Sequence, residues 1–288
     1  MELALTIEVE FKNVLKFKFF SGEVKVKKLI SYLIMMALLP AAFIVGCSSK
    51  SSTPSGPSSP AGPTATSTQG SYTTPQATQQ ATVNLGSAAN YVILSYTGIS
   101  NSGPSTTCGG YGVYPDGQTS VTGSPAIVES CGGAVDVGDA AANTAKGALS
   151  TAYTTTMNLP NGAVLPPGAD IGGQTLYPGL YTESGVLNVS SADLTLDAQN
   201  NQNAVFIFQV SSNLIVGPGR HIILANRAQA ANVYWVVAGY CALNTTVAMV
   251  GNIMTYDSVT FNTGATLVGR ALAENGDVTL LSNNITHP

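Results

Sequence analysis

Residues 250–261 read VGNIMTYDSVTF and residues 268–280 read VGRALAENGDVTL. Val250 and Gly251 return as Val268 and Gly269, 18 residues on, whereas Thr260 returns as Thr279, 19 residues on. A repeat of this length, with strand-like runs inside it, is the signature of a β-solenoid, in which each repeat is one turn stacked on the last. The one-residue slip is expected at a corner, where an added residue leaves the strands in step. A β-sandwich also uses short strands with frequent turns, but it does not predict the returning Val-Gly step.

The same character extends over residues 82–288. Strand-like runs such as TLYPGLYTE, AVFIFQV, NVYWVVA and DVTLL are rich in Val, Ile, Thr and Tyr, and Gly, Pro and Asn separate them. Phe206-Ile207-Phe208 and Tyr234-Trp235-Val236-Val237 are apolar at consecutive positions, which marks strands buried on both faces. DVGDAAANTAKGALSTAYTTT breaks the pattern: Ala141, Ala145, Ala148, Leu149 and Ala152 follow helical spacing, and Asp139 stands where negative charge suits a helix start. A helix of about eighteen residues within 138–156 would span about 27 Å, as long as five or six coils stacked at about 4.8 Å. The expected fold is therefore all-β, a β-solenoid with one long α-helix packed along the face that holds the doubly buried strands.

Other strands alternate. In SVTFN, Val259 and Phe261 are expected to point inward and Ser258, Thr260 and Asn262 outward. In DVTLL, Thr279 points out, and in DLTLD so does Thr195. Stacking of equivalent positions makes an outward Thr row the candidate working surface. A further possibility puts that surface on NIMTY and RALAE, whose outward residues include Arg270 and Glu274.

Six of the eleven Lys and Arg residues precede residue 30, and the rest of the chain carries a mild acidic excess. That balance lacks the basic footprint a nucleic acid requires. The run KVKKLISYLIMMALLPAAFIVGC has the basic start, apolar stretch and small residues of a secretory signal. Its end, Ile44-Val45-Gly46-Cys47, resembles a bacterial lipobox, making Cys47 the candidate lipidated residue. An ordinary signal or an uncleaved membrane anchor is the alternative. Residues 1–47 thus read as a signal, with the true start near Val24, and residues 48–81, dominated by Ser, Thr, Pro, Gly and Gln, as a disordered tether.

Cys108 and Cys131 stand in a Gly-rich stretch, and in an exported protein they are expected to pair, a bridge worth on the order of 3 kcal/mol. Cys241 is left as a small core residue. Neither His221 nor His287 has the neighbours of a base or ligand, no nucleophile elbow is present, and no zinc spacing occurs. An enzyme, a metal and a cofactor are therefore not expected.

The stretches YVILSYTGISNSGPS, ANTAKGALSTAY, IGGQTLYPGLYTESG, LTLDAQNNQNAVFIFQV, ANVYWVV and TGATLVGRALAENGDVTLLSNNIT resemble, in order, the microbial ice-binding proteins. The resemblance implies a right-handed, triangular solenoid to which an N-terminal segment is joined discontinuously, with residues 101–135 as a capping insertion. It implies the surface of an ice crystal as partner; Cys47 is expected to supply the lipid anchor, and the chain is expected to be a monomer. Some members carry a T-A/G-x-T/N motif on the binding face, and Thr263-Gly264-Ala265-Thr266 fits it once. The candidate face is thus Thr195, Ser258, Thr260, Asn262, Thr263, Thr266 and Thr279. A surface adhesin or structural envelope protein on the same fold is the competing expectation.

Overall fold

The computed structural model describes residues 79–288, together with the antiparallel backbone pair Lys18–Phe19 and Gly22–Glu23. The signal, Cys47 and nearly all of the expected tether lie outside the described residues.

Residues 91–286 form a three-faced solenoid in which every strand pairing is parallel. The first face carries Gly179–Glu183, Phe206–Val210 and Val233–Val237, then residues 252–255 and 270–273, then Tyr91–Ser95 and Gly110–Val113. The second is a seven-stranded sheet ordered Leu187–Val189, Leu214–Val216, Cys241–Leu243, Val259–Phe261, Asp277–Leu281, Gly98–Ser102 and Val121–Ser124. The third runs through Thr175–Leu176, Leu194–Asp197 and Ile222–Ala225 to residues 248–250 and 266–268, then Asn284–Thr286, Thr106–Cys108 and Val128–Glu129. The strands Ala248–Thr255 and Thr266–Ala273 begin on the third face, bend at Gly251 and Gly269, and continue on the first.

The opening repeat is one coil. Val250 lies beside Val268 and Gly251 beside Gly269, while Thr260 lies beside Thr279. Thr255 still pairs with Ala273, but Val259 pairs with Val278, so the added residue sits in the corner at residues 274–277.

The N-terminal strands are not a continuation in chain order. Ile93 and Leu94 pair with Ala271 and Leu272, and Gly98–Ser102 pairs with Asp277–Leu281, so the N-terminal segment stacks beyond the C-terminal coil. Residues 101–135 close that end of the stack, but they do so as coils in register with the three faces, not as a separate head. The Cys108–Cys131 disulfide is formed there, with its Cα atoms 4.8 Å apart. Beside it the Glu129 carboxylate accepts from the amides of Cys131 at 2.9 Å, Gly109 at 3.1 Å and Gly132 at 2.8 Å, which hold its carboxyl below the ordinary range.

Inward side chains fill the interior. Tyr181, Phe208 and Trp235 stack on successive coils, with ring centroids 5.2 and 4.2 Å apart. Trp235 Nε1 donates to Val250 O at 2.9 Å and Tyr181 Oη to Tyr177 O at 2.6 Å, so neither polar tip is stranded. Cys241 is a buried free thiol, and burial pushes it far up.

The first face is covered by the helix Ala140–Met157. Asp139 caps it, accepting from Ala142 N at 2.9 Å. Ala145, Leu149 and Ala152 pack with Leu94, Ile207, Tyr234, Val236, Met254 and Leu272. Ala141, expected on the buried stripe, is exposed; the cap sets the phase so that Ala142 lies inward with Ala145, Leu149 and Ala152. At the far end Gln209 Nε2 donates to Thr156 O at 2.7 Å, a late helix carbonyl, and to Leu159 O at 3.0 Å just beyond the helix. Arg270, also buried, donates to Ala89 O at 3.0 Å and Asn252 Oδ1 at 2.7 Å, which removes NIMTY and RALAE from the candidate surfaces.

Lys146 pins the middle of the helix. Its ammonium donates to Ala273 O and Glu274 O, both at 2.7 Å, and burial pulls it down to about 8. Above pH 8 the folded chain releases this proton while the unfolded chain still holds it, so stability rises with pH. Cys241, pushed far up by burial, and Tyr153 and Tyr181, pushed up to about 12, act oppositely: the unfolded thiol ionises first from about pH 9 and the unfolded phenols above about pH 10, and stability falls. Thermal unfolding should therefore show its highest midpoint at about pH 9. In Lys146→Met the rise above pH 8 should vanish; a rise that persists would assign it to other groups.

Candidate functional site: two exposed solenoid faces

The candidate residues do not share one surface. Thr260 and Thr279 lie on the second face, in a row with Ala242, Ser100 and Thr122. Thr195 and Thr266 lie on the third face. Thr263 is exposed in the corner between them, and Asn262, expected to point outward, opens that corner and donates to Asn244 Oδ1 at 3.2 Å. The separation arises because the corner redirects the chain between Phe261 and Thr266, so alternation counted through it is lost.

Around Asp277 the hydroxyls of the second face are spent internally. Thr279 Oγ1 donates to Asp277 Oδ2 at 3.0 Å and shares a 3.1 Å hydrogen bond with Ser100 Oγ. Ser258 Oγ donates to the other oxygen of Asp277. The row is thus flanked by the carboxylate of Asp277, which holds water in its own hydration shell.

The third face is different in kind. One outward row runs Ala248, Thr266, Asn284 and Thr106, and a second runs Val250, Val268 and Thr286. None of these side chains carries charge. Thr266 is exposed, and Val268 is 43% exposed although large and apolar. On the neighbouring coils Thr175, Thr195 and Ile223 continue the second row, with Ile223 44% exposed. Adjacent coils are about 4.8 Å apart and the two rows about 7 Å apart along the strand, giving a two-dimensional lattice of methyls and hydroxyls. Charge is confined to its ends. Asp193 accepts from His221 N at 2.9 Å and faces His221 Nδ1 at 3.3 Å; these contacts hold its carboxyl low. Asp197 accepts from Gln199 N at 2.7 Å and Asn226 Nδ2 at 2.9 Å.

Asparagines brace the corner that feeds this face. Asn283 Nδ2 donates to Asn262 O and Ala265 O, each at 2.9 Å, bracketing Thr263-Gly264. Asn244 Nδ2 donates to Val216 O at 2.9 Å one coil away. Leaving the buried Ala265 carbonyl unpaired would cost about 1–3 kcal/mol, so this bracing holds Thr266 in register. The sequence reading missed Asn244 and Asn283. Their signal is an Asn just after successive second-face strands, in CALN, VTFN and LLSNN. Among the described residues no group of three or more His, Cys, Asp or Glu is placed to hold a metal ion.

Known proteins are similar to this chain in sequence and fold. The ice-binding-like family model matches residues 93–286. The ice-binding protein of Flavobacterium frigoris strain PS1 is 34% identical over 278 residues, covering 91% of this chain and 99% of that protein. The ice-binding protein of Nostoc sp. strain HG1 is 35% identical over 205 residues, 70% of this chain and 73% of that protein. Among solved structures, an ice-binding protein from an Antarctic biological consortium superposes with a TM-score of 0.69 at 37% identity, covering 73% of this chain and 94% of that chain. By sequence and by fold, the chain belongs to the ice-binding-like family.

Proposed function

We propose that this protein adsorbs to ice through its third face, without catalysing a reaction. The observation that carries the reading is the uncharged double row of Ala248, Thr266, Asn284 and Thr106 beside Val250, Val268 and Thr286. Methyl groups on such a face order the water above them, and hydroxyls hold that water in place. A lattice fixed by stacked coils loses little entropy when this water joins the crystal. Adsorbed molecules then pin the advancing ice surface. The family likeness to proteins named for ice binding supports the same reading. Of the sequence candidates, Thr195, Thr263 and Thr266 belong to or border this face; Ser258, Thr260, Asn262 and Thr279 do not. The test is ice-recrystallisation inhibition by residues 82–288 and by single-face variants. Growth of ice grains indistinguishable from buffer would refute it.

We further propose export as a monomer held to the envelope through lipid on Cys47, supported by the run ending Ile44-Val45-Gly46-Cys47. The mass of the mature N-terminus decides this: a diacylated Cys47 is expected, and an unmodified chain beginning elsewhere sinks it.

A further inference from the structure

Where the chain leaves the helix-covered face, tyrosines occupy three of four successive coils. Thr255 pairs with Ala273, Leu272 with Leu94, and Ser95 with Val113. The residues that follow, Tyr256, Glu274, Tyr96 and Tyr114, therefore form one row along the solenoid axis. Tyr256 is 50% exposed and Tyr96 40%. Both rings are held from behind by the helix: Tyr153 packs against Tyr256 with centroids 6.2 Å apart, and the Lys146 ammonium lies 5.5 Å from the Tyr96 centroid. Exposed Asp257, Asn275 and Asp116 flank them.

The chemistry of this ridge selects its partner. It combines aromatic faces with carboxylate and amide oxygens and has no exposed aliphatic side chain between the rings, so it does not suit an apolar helix. Its carboxylates repel phosphate and anionic sugar polymers, and the charge of Lys146 is paired with the Glu274 carboxylate at 3.7 Å. What fits is a molecule with C–H faces to lie on the rings and hydroxyls to donate to the acids. Tyr256 and Tyr96 are two coils apart, about 10 Å, and the line extends to Tyr114, a geometry for a linear chain of sugar rings. We propose that the Tyr256–Tyr96–Tyr114 ridge binds a neutral, β-linked polysaccharide laid along the solenoid axis. The ridge lies between the first and second faces, so this binding is independent of the ice-binding reading and compatible with it.

The experiment is affinity electrophoresis of residues 82–288 through gels containing soluble mixed-linkage β-glucan, with alginate as an anionic control. Retardation by β-glucan is expected, weakened at least about tenfold in Tyr96→Ala/Tyr256→Ala. It should survive in Tyr256→Phe, which keeps the ring, and in Thr266→Tyr, which alters only the third face. Circular dichroism establishes that each variant is folded. No retardation, retardation by alginate instead, or equal retardation of the folded double variant would overturn the proposal.

Discussion

Thr266→Tyr should remove most ice-recrystallisation inhibition, raising the concentration required at least about tenfold, while Thr279→Tyr leaves it nearly unchanged. Thr266 is exposed at the centre of the uncharged lattice, beside Ala248 and Asn284. A phenol ring there stands well above the surrounding methyls and props the face away from any flat crystal, so contact is lost over several coils at once. A tenfold loss corresponds to about 1.4 kcal/mol, a modest share of what a many-point contact supplies. The fold should be spared, because an exposed strand position away from special contacts typically costs within about 0.5 kcal/mol. Thr279 lies on the other exposed face, already bonded to Asp277 and Ser100. If Thr279→Tyr abolished activity and Thr266→Tyr did not, the second face would be the working one.

A large loss of stability is expected from Gly269→Ala. Gly269 has φ of 157°, and a Cβ added there would stand 1.9 Å from Gly251 O and 2.7 Å from Gly251 C. Gly251 is itself confined: its φ is 104°, and an added Cβ would lie 2.8 Å from Val233 Cβ. Backbone lies on backbone, so no rotamer change can relieve the clash, and the coils must part where third face turns into first. We expect a loss of about 3 kcal/mol or more, lowering the thermal midpoint by roughly 6–12 °C for a domain of this size. A midpoint within a degree of the parent would mean the corner opens freely.

This corner also explains what could be read from the sequence. Val-Gly returns because two adjacent coils need glycine at the same bend, and that need writes itself into the chain as a period. The doubly apolar runs at Phe206 and Val233 announced a face covered by something else, and the alanine-rich stretch supplied the cover. Which threonines stand together was not legible. Thr260 and Thr266 are six residues apart and both look outward, yet hydrogen-bond register assigns them to different faces. That assignment depends on how an asparagine-braced corner turns, and corners have no hydrophobic period. Residues 101–135 were opaque for a related reason: strands as short as Thr106–Cys108 and Gly110–Val113 are too brief and Gly-rich to declare themselves as coils.

The order of stacking governs how the chain can fold. Tyr91–Ser95 and Gly98–Ser102, made first, pair with Ala271, Leu272 and Asp277–Leu281, made last. Ser100 and Thr279, hydrogen-bonded to each other, are 179 residues apart. During synthesis the N-terminal coils therefore wait without their template, and closure comes only after the C-terminal coil has formed. Loops this long make closure slow. A chain that must stay open until its last coil is available is suited to crossing a membrane unfolded and completing its fold on the far side.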